Sequence, residues 1–296
     1  MAEDHLVARL RFLWEAQNPD GGWGYFPGKR SWLEPTVYAM LAGIQEAGTP
    51  GWERAWTLVR SWQLPVGAFH PSAQVEDAHW STALAVSLHC VRGVYDSVFE
   101  RGVAWLLASA GAEGNLFARF VAMWRGSPVG HDLRYQGWPW RPDTSSWIEP
   151  TAHSLVALKK ASGKVQDPDL KRRVLLGEQM ILCRRCEDGG WNYGSKQALG
   201  VPLPSYPETT ALALLGLQGN RAADLGPTID RAKKLWQEAR SPLARAWLAI
   251  SLKHYGVSVP AINGSVASPR DVMITALEVL ASPSGPNGVF RPAMVV

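Results

Sequence analysis

SWLEPTVYAMLAG at residues 31–43, SWIEPTAHSLVAL at 146–158 and SYPETTALALLGL at 205–217 align without gaps. Each opens with Ser and an aromatic residue, places a Glu fourth and a Thr sixth, and continues as a run of small and apolar residues. Two of the three share Trp-x-Glu-Pro-Thr outright, Trp32 to Thr36 and Trp147 to Thr151. Self-similarity of this kind is the mark of a repeat architecture.

The window reads as the start of a helix. Pro35 and Pro150 suit a first turn, where the missing N–H costs nothing, and an acid there complements the helix dipole. The remainder of each window is apolar almost all round, so the helix is expected to be buried on most sides. Shorter copies begin at Trp80-Ser-Thr82, at Ser241 to Trp247 and at Ile274-Thr275, giving six buried helices. Helices with charged faces are expected between them, over 5–17, 51–63, 97–109, 168–186 and 228–239, with Asp167-Pro168 as cap and first turn of the fourth. Alternating buried and polar helices predict an inner and an outer ring. The expected fold is an all-α (α/α)6 toroid of about 11–12 helices, a single domain over 1–296. Residues 256–268 read as loop and leave the sixth hairpin incomplete.

Composition narrows the partners. The 296 residues carry 30 basic and 26 acidic side chains, a net charge of +4 without basic clusters, which argues against a nucleic-acid platform. Three cysteines are too few for a disulfide framework. MAEDHLVARL lacks the apolar core of a secretory signal, and no apolar run reaches a membrane span. The expectation is a cytoplasmic protein, with peripheral membrane contact left open and the oligomeric state unspecified. Fifteen tryptophans are the anomaly, pointing to a repeated structural use or a large aromatic surface.

Gly-rich aromatic turns lie between outer and inner helices: Gln17-Asn-Pro-Asp20-Gly21-Gly22-Trp23 and Cys186-Glu-Asp188-Gly189-Gly190-Trp191. Asp-Gly-Gly supplies the left-handed positions that end a helix. Trp62-Gln63 to Phe69 keeps the Gln and Gly, and Arg101 to Trp105 with Gly114 reads as an eroded copy. Leu13-x3-Gln17-x3-Gly21-x-Trp23 resembles the QW motif of squalene–hopene and oxidosqualene cyclases, and Val59-x3-Gln63-x3-Gly67-x-Phe69 is similar to it. Protein prenyltransferase β subunits share this toroid and similar turns. The resemblance implies a terpenoid-cyclase-like toroid in which these motifs brace helix ends.

The chemical signatures of both groups are missing. No D-x-D-D tetrad occurs; Asp167-Pro168-Asp169-Leu170 lacks the final acid and starts an outer helix. Cys183 and Cys186 form a lone C-x-x-C, weak evidence for zinc, and Cys186 reads as standing where the repeat otherwise has Gln17. Leu176-Gly-Glu-Gln179 has Leu where a thioester would need Cys. No metal and no cofactor are expected.

The toroid places all outer-to-inner connections at one rim, and four are long: about 18–32, 64–79, 127–147 and 187–206. They carry the expected ligand-binding aromatics Trp32, Trp80, Trp138, Trp140, Trp147 and Tyr206, with His79 in the loop and His153 one turn inside its helix. A hydrophobic small molecule is the expected partner of such a surface, and aromatic faces suit carbocations. Glu34, Glu149 and Glu208 open three inner helices at equivalent positions, as caps or as convergent acids. Trp80, Ala244 and Met273 hold that position in the other copies, so the ring should be acidic on one side and apolar on the other. An aromatic-walled carboxyl would hold its proton and serve as general acid or base; Asp143 is a further candidate. Lys29, Arg30, Arg134, Arg141 and Lys196 lie in the same loops and could meet a diphosphate.

Three functions fit. The first is a squalene- or terpene-cyclase-like protein that cyclises or isomerises an isoprenoid-type ligand by carboxylic-acid chemistry. The second is a non-catalytic ligand- or protein-binding toroid. The third is a carbohydrate-active α/α-barrel hydrolase or lyase, with Trp platforms and paired carboxylates.

Overall fold

A computed structural model describes residues 2–114, 132–198, 200–260, 262 and 271–292. Among them are eleven α-helices: α1 (Ala2–Glu15), α2 (Leu33–Ala42), α3 (Pro50–Ser61), α4 (Thr82–Arg92), α5 (Ser97–Ala108), α6 (Ile148–Ala161), α7 (Asp169–Cys183), α8 (Pro207–Gly216), α9 (Gly226–Glu238), α10 (Pro242–His254) and α11 (Val272–Ala281). One two-residue ribbon, Gln197–Ala198 against Val201–Pro202, is the only sheet among the described residues.

The apolar repeat windows become α2, α6 and α8, and almost every residue in them is buried. No solvated face is left, so each must be surrounded by other helices. They are. Helices α2, α4, α6, α8, α10 and α11 pack in that order, and α11 returns to α2, closing an inner ring of six. The amphipathic α1, α3, α5, α7 and α9 lie outside it against their neighbours. This is the expected toroid. Part of the sixth outer position, residues 263–270, lies outside the described residues. None of the described helices is long and apolar enough to cross a membrane.

The inner helices all start at one end. Backbone bonds there tie four of the six starts to the loop ahead of a neighbouring inner helix: Leu33 N–H to Pro71, Trp80 N–H to Trp140, Ile148 N–H to Tyr193 and Val272 N–H to Tyr25. The opposite end is laced by Lys159, which donates to the Gly216 and Gln218 carbonyls, and by Tyr255, which donates to Leu214. At the seam, Arg9 of α1 donates to Glu278 of α11 in a buried ion pair 2.7 Å long.

Helix α7 begins one residue later than expected. Pro168 takes the cap position, and the Asp167 carboxylate accepts the Asp169 N–H.

Candidate functional site

Most residues of the repeat have a bracing duty. In three copies an indole N–H donates to a carbonyl at the end of an outer helix: Trp23 to Leu13, Trp138 to Leu106 and Trp191 to Ile181. The backbone N–H of the same residue donates to the repeat's Thr: Trp23 to Thr36, Trp138 to Thr151 and Trp191 to Thr210. Phe69 makes that second bond to Thr82. The repeat's Ser holds an acid: Ser31 bonds Asp20, Ser146 bonds Glu113 and Ser205 bonds Asp188. Gln17 and Gln63 each donate to the turn's glycine carbonyl and to the start of the next outer helix, at Gly51 and Val98. Every one of these groups is used in holding one helix to another, inner to outer through Trp, Thr and Ser and outer to outer through Gln.

This bracing corrects two expectations about the turns. Trp138 is no mouth residue: it is 1% exposed, braces α5, and lies under the Arg173 guanidinium. The third brace therefore comes from Gly137-Trp138, not from Arg101–Trp105. The thirteen-residue step from Trp23 to Thr36 recurs between Trp138 and Thr151, a signal the sequence contained. Cys186 takes the place of Asn18, since both backbone N–H groups bond the second Gly of the turn. Arg185 holds the Gln17 position and reaches the Asp224 carbonyl just before α9.

The bracing leaves over the aromatic residue before each helix and the Glu inside its first turn. Trp32, Trp147 and Tyr206 occupy the cap positions of α2, α6 and α8 without any side-chain cap bond. The glutamates keep part of their surface open. Tyr25 donates to Glu34 at 2.5 Å. Among the described residues no hydrogen bond to the carboxylates of Glu149 or Glu208 is found.

The acids feel one another. Burial, then the charges of Glu34 and Glu208, push the Glu149 carboxyl up to about 8. Burial also raises Glu34, assisted by Asp271, while the Tyr25 hydroxyl pulls the other way. The Tyr25 phenol is pushed well above its ordinary range by burial and by Glu34. Desolvation thus outweighs the favourable ends of the helix dipoles, as it does for carboxyls enclosed by apolar walls. Asp271 corrects the expected asymmetry. It caps α11 through the Ile274 N–H, and its charge bears on Glu34 and Tyr25. Acids therefore stand at the starts of α11, α2, α6 and α8, although Met273 holds the repeat's Glu position in α11. They are separated by α4 and α10, which have Trp80 and Ala244 there.

Beneath the acids the ring is filled by aromatic groups. Tyr38 of α2 bonds His153 of α6 at 3.3 Å. The His153 ring lies 5.2 Å from Trp80 and 5.7 Å from Trp247, and Trp247 lies 5.7 Å from Tyr38. Trp140 meets Trp80 edge-on at 5.2 Å. Burial alone lowers His153 to about 3, so it stays neutral. The phenol of Tyr38 is raised by burial and then by the charges of Glu34 and Glu149. Tyr38 and Trp247 were not singled out from the sequence; the shared repeat position of Tyr38 and His153 was the available signal for the first.

The outer lip is more open. Trp147, Tyr193 and Tyr206 are 38%, 41% and 41% exposed. Tyr193 and Tyr206 rings sit 5.1 Å apart, and Tyr193 lies in the field of Glu208 and Glu149. Trp32 packs against Tyr25. His79 bonds Ser81 and is held down to about 4, chiefly by burial and then by Arg141. Asp143 is exposed on a loop in the left-handed conformation. Arg134 and Arg141 are committed to exposed ion pairs with Asp132 and Asp77.

The arrangement is an α/α toroid with a set of acids and an aromatic floor at one end. Solved structures share the fold. The type II terpene cyclase MstE of Scytonema, in complexes named for its substrate geranylgeranyl dihydroxybenzoate and its product merosterolic acid A, is among them. In its product complex it aligns at 19% identity over 95% of this chain and 78% of its own, with a TM-score of 0.54. A family 8 glycosyl hydrolase, an endoglucanase from Klebsiella pneumoniae, aligns at 14% identity over 93% and 97%, TM-score 0.59. An endo-β-1,4-glucanase from Acetobacter xylinum aligns at 12% over 94% and 97%, TM-score 0.58. At these identities the likeness is one of fold. No family model matches the chain, and no curated protein does.

Proposed function

We propose that this end of the ring binds a largely apolar, isoprenoid-type molecule and that Glu149 serves as a general acid upon it. The observation that carries the reading is a carboxyl raised to about 8, without a hydrogen-bond partner among the described residues, above an aromatic floor. General acids work best with a pKa near the operating pH. Glu149 would transfer its proton to one carbon of a substrate double bond, the π pair forming the new C–H bond. The adjacent cation would lie against Trp80, Tyr38 and Trp247, each aromatic face contributing about 0.5–2 kcal/mol. Closure by a second double bond and loss of a proton to the Glu34 or Glu208 carboxylate complete a net isomerisation. Glu149 then regains a proton from solvent, and the accepting carboxyl gives one up to it.

A second reading rests on the open faces of Trp147, Tyr193 and Tyr206 beside Glu149 and Glu208, which suit a sugar chain between a platform and two carboxyls. Incubation with polyprenyl substrates, squalene and a β-1,4-glucan, followed by mass spectrometry, separates the readings. Cyclised or isomerised prenyl product, lost in Glu149→Gln and declining above about pH 8, is expected. Shortened glucan chains would instead establish the carbohydrate reading, and a retained but unconverted prenyl ligand a binding protein. Prenyl turnover undiminished in Glu149→Gln would remove Glu149 from the chemistry.

A further inference from the structure

A concavity lies at the other end of the ring, away from the acids. It is a cleft of about 430 Å³ between the outer helix α7, the end of α6 and the turn after α8. That volume falls within the range of about 300–1,000 Å³ typical of small-molecule sites.

Its floor is polar but closed. Lys159 spends its ammonium protons on the Gly216 and Gln218 carbonyls and on Glu178. Glu178 in turn accepts from Asn220, and Asn220 accepts from the Ala222 and Ala223 N–H groups. A bound molecule gains nothing by competing for groups so fully engaged. The wall is apolar. Leu170 and Val174 line it, and Leu175 stands 56% exposed on the same helix, an uncommon position for a leucine on an outer helix whose other exposed residues are polar or charged. The lip carries Lys171 from α7 and Arg221 from the facing turn, both exposed and neither in an ion pair or side-chain hydrogen bond among the described residues. Gln179 adds an amide that is likewise unengaged among them.

An apolar wall below two opposed, unspent cations fits a molecule with an alkyl body and an anionic head. The geometry points to a binding site here for a small amphiphilic anion, its chain along Leu170, Val174 and Leu175 and its head between Lys171 and Arg221. A carboxylate and a phosphate share the required chemistry; Arg221 favours either as a planar fork, and Lys171 as a point charge.

Isothermal titration of the intact chain with dodecyl phosphate and dodecanoate below their micelle concentrations, and with dodecanol below its solubility limit, tests the site. The expected result is saturable one-to-one binding of at least one anion and weaker binding of the alcohol. The double variant Lys171→Ala/Arg221→Ala should weaken anion binding about tenfold and leave the alcohol unaffected. Val174→Trp, which fills the cleft, should abolish all binding while circular dichroism stays unchanged. Comparison of the two anions identifies the head group. Absence of saturable binding by either anion, equal affinity for dodecanol, or indifference to both variants would overturn the proposal. None of these results depends on whether Glu149 is catalytic.

Discussion

Glu149 carries the most informative titration in the molecule. Its folded carboxyl sits near 8, well above the ordinary value of about 4.3 for an unfolded chain. The folded state therefore binds this proton more tightly than the unfolded one. The stability it supplies is complete below about pH 4 and is withdrawn as pH rises through about 8. Glu34 is raised in the same sense. Wild-type protein should accordingly lose several degrees of melting temperature between pH 6 and pH 9, and Glu149→Gln should lose distinctly less. Calorimetry at the two pH values measures this; parallel losses in both proteins would show that Glu149 is ionised cheaply and is no reservoir of protons. The buried His153, lowered to about 3, acts oppositely. Its contribution is present above about pH 6.5 and is lost as pH falls towards 3, so it does not disturb the alkaline comparison.

At the scale of the element, the turns decide how closely one outer helix approaches the next. Gly67 and Gly93 both have positive φ, 92° and 78°. A Cβ at Gly67 would stand 2.4 Å from the Arg101 carbonyl oxygen, whereas at Gly93 nothing lies within 4 Å. Gly93→Ala should cost about 1 kcal/mol, the left-handed penalty alone. Gly67→Ala should cost about 3 kcal/mol, because backbone must move as well. Urea denaturation of the two variants gives the difference directly. Equal costs would mean that the brace between α3 and α5 is looser than the bond from Gln63 to Val98 implies.

For the molecule as a whole the seam is the vulnerable place. Five inner contacts follow chain order, but α11 must find α2 across nearly the full length of the sequence. Arg9 and Glu278 secure α1 to α11 at that seam, with 7% and 10% of their side chains exposed. Glu278→Ala would leave a buried guanidinium with only the Ile262 carbonyl among the described residues, at a cost of about 3–5 kcal/mol. Replacing both, Arg9→Met with Glu278→Leu, should cost much less, since no unpaired charge remains. Thermal unfolding of the three proteins tests this, and a double variant no better than the single one would refute it.

The sequence by itself determined the ring. Helix starts, buried faces and polar partners are local properties, written as Ser, Pro, Thr and apolar periodicity in each copy, and the number of copies settles the architecture. It also placed the three glutamates equivalently, because equivalent repeat positions open equivalent helices. Only the tertiary structure decided what those positions do. It sorted Trp138 into the braces and left Trp147 and Tyr206 at the lip, a distinction made by what lies across from each ring and not by its neighbours in sequence. It brought Asp271 and Tyr25 to Glu34 from opposite ends of the chain. Above all it raised Glu149, because a carboxyl's pKa is set by desolvation and by charges on other helices, and neither exists until the ring has closed.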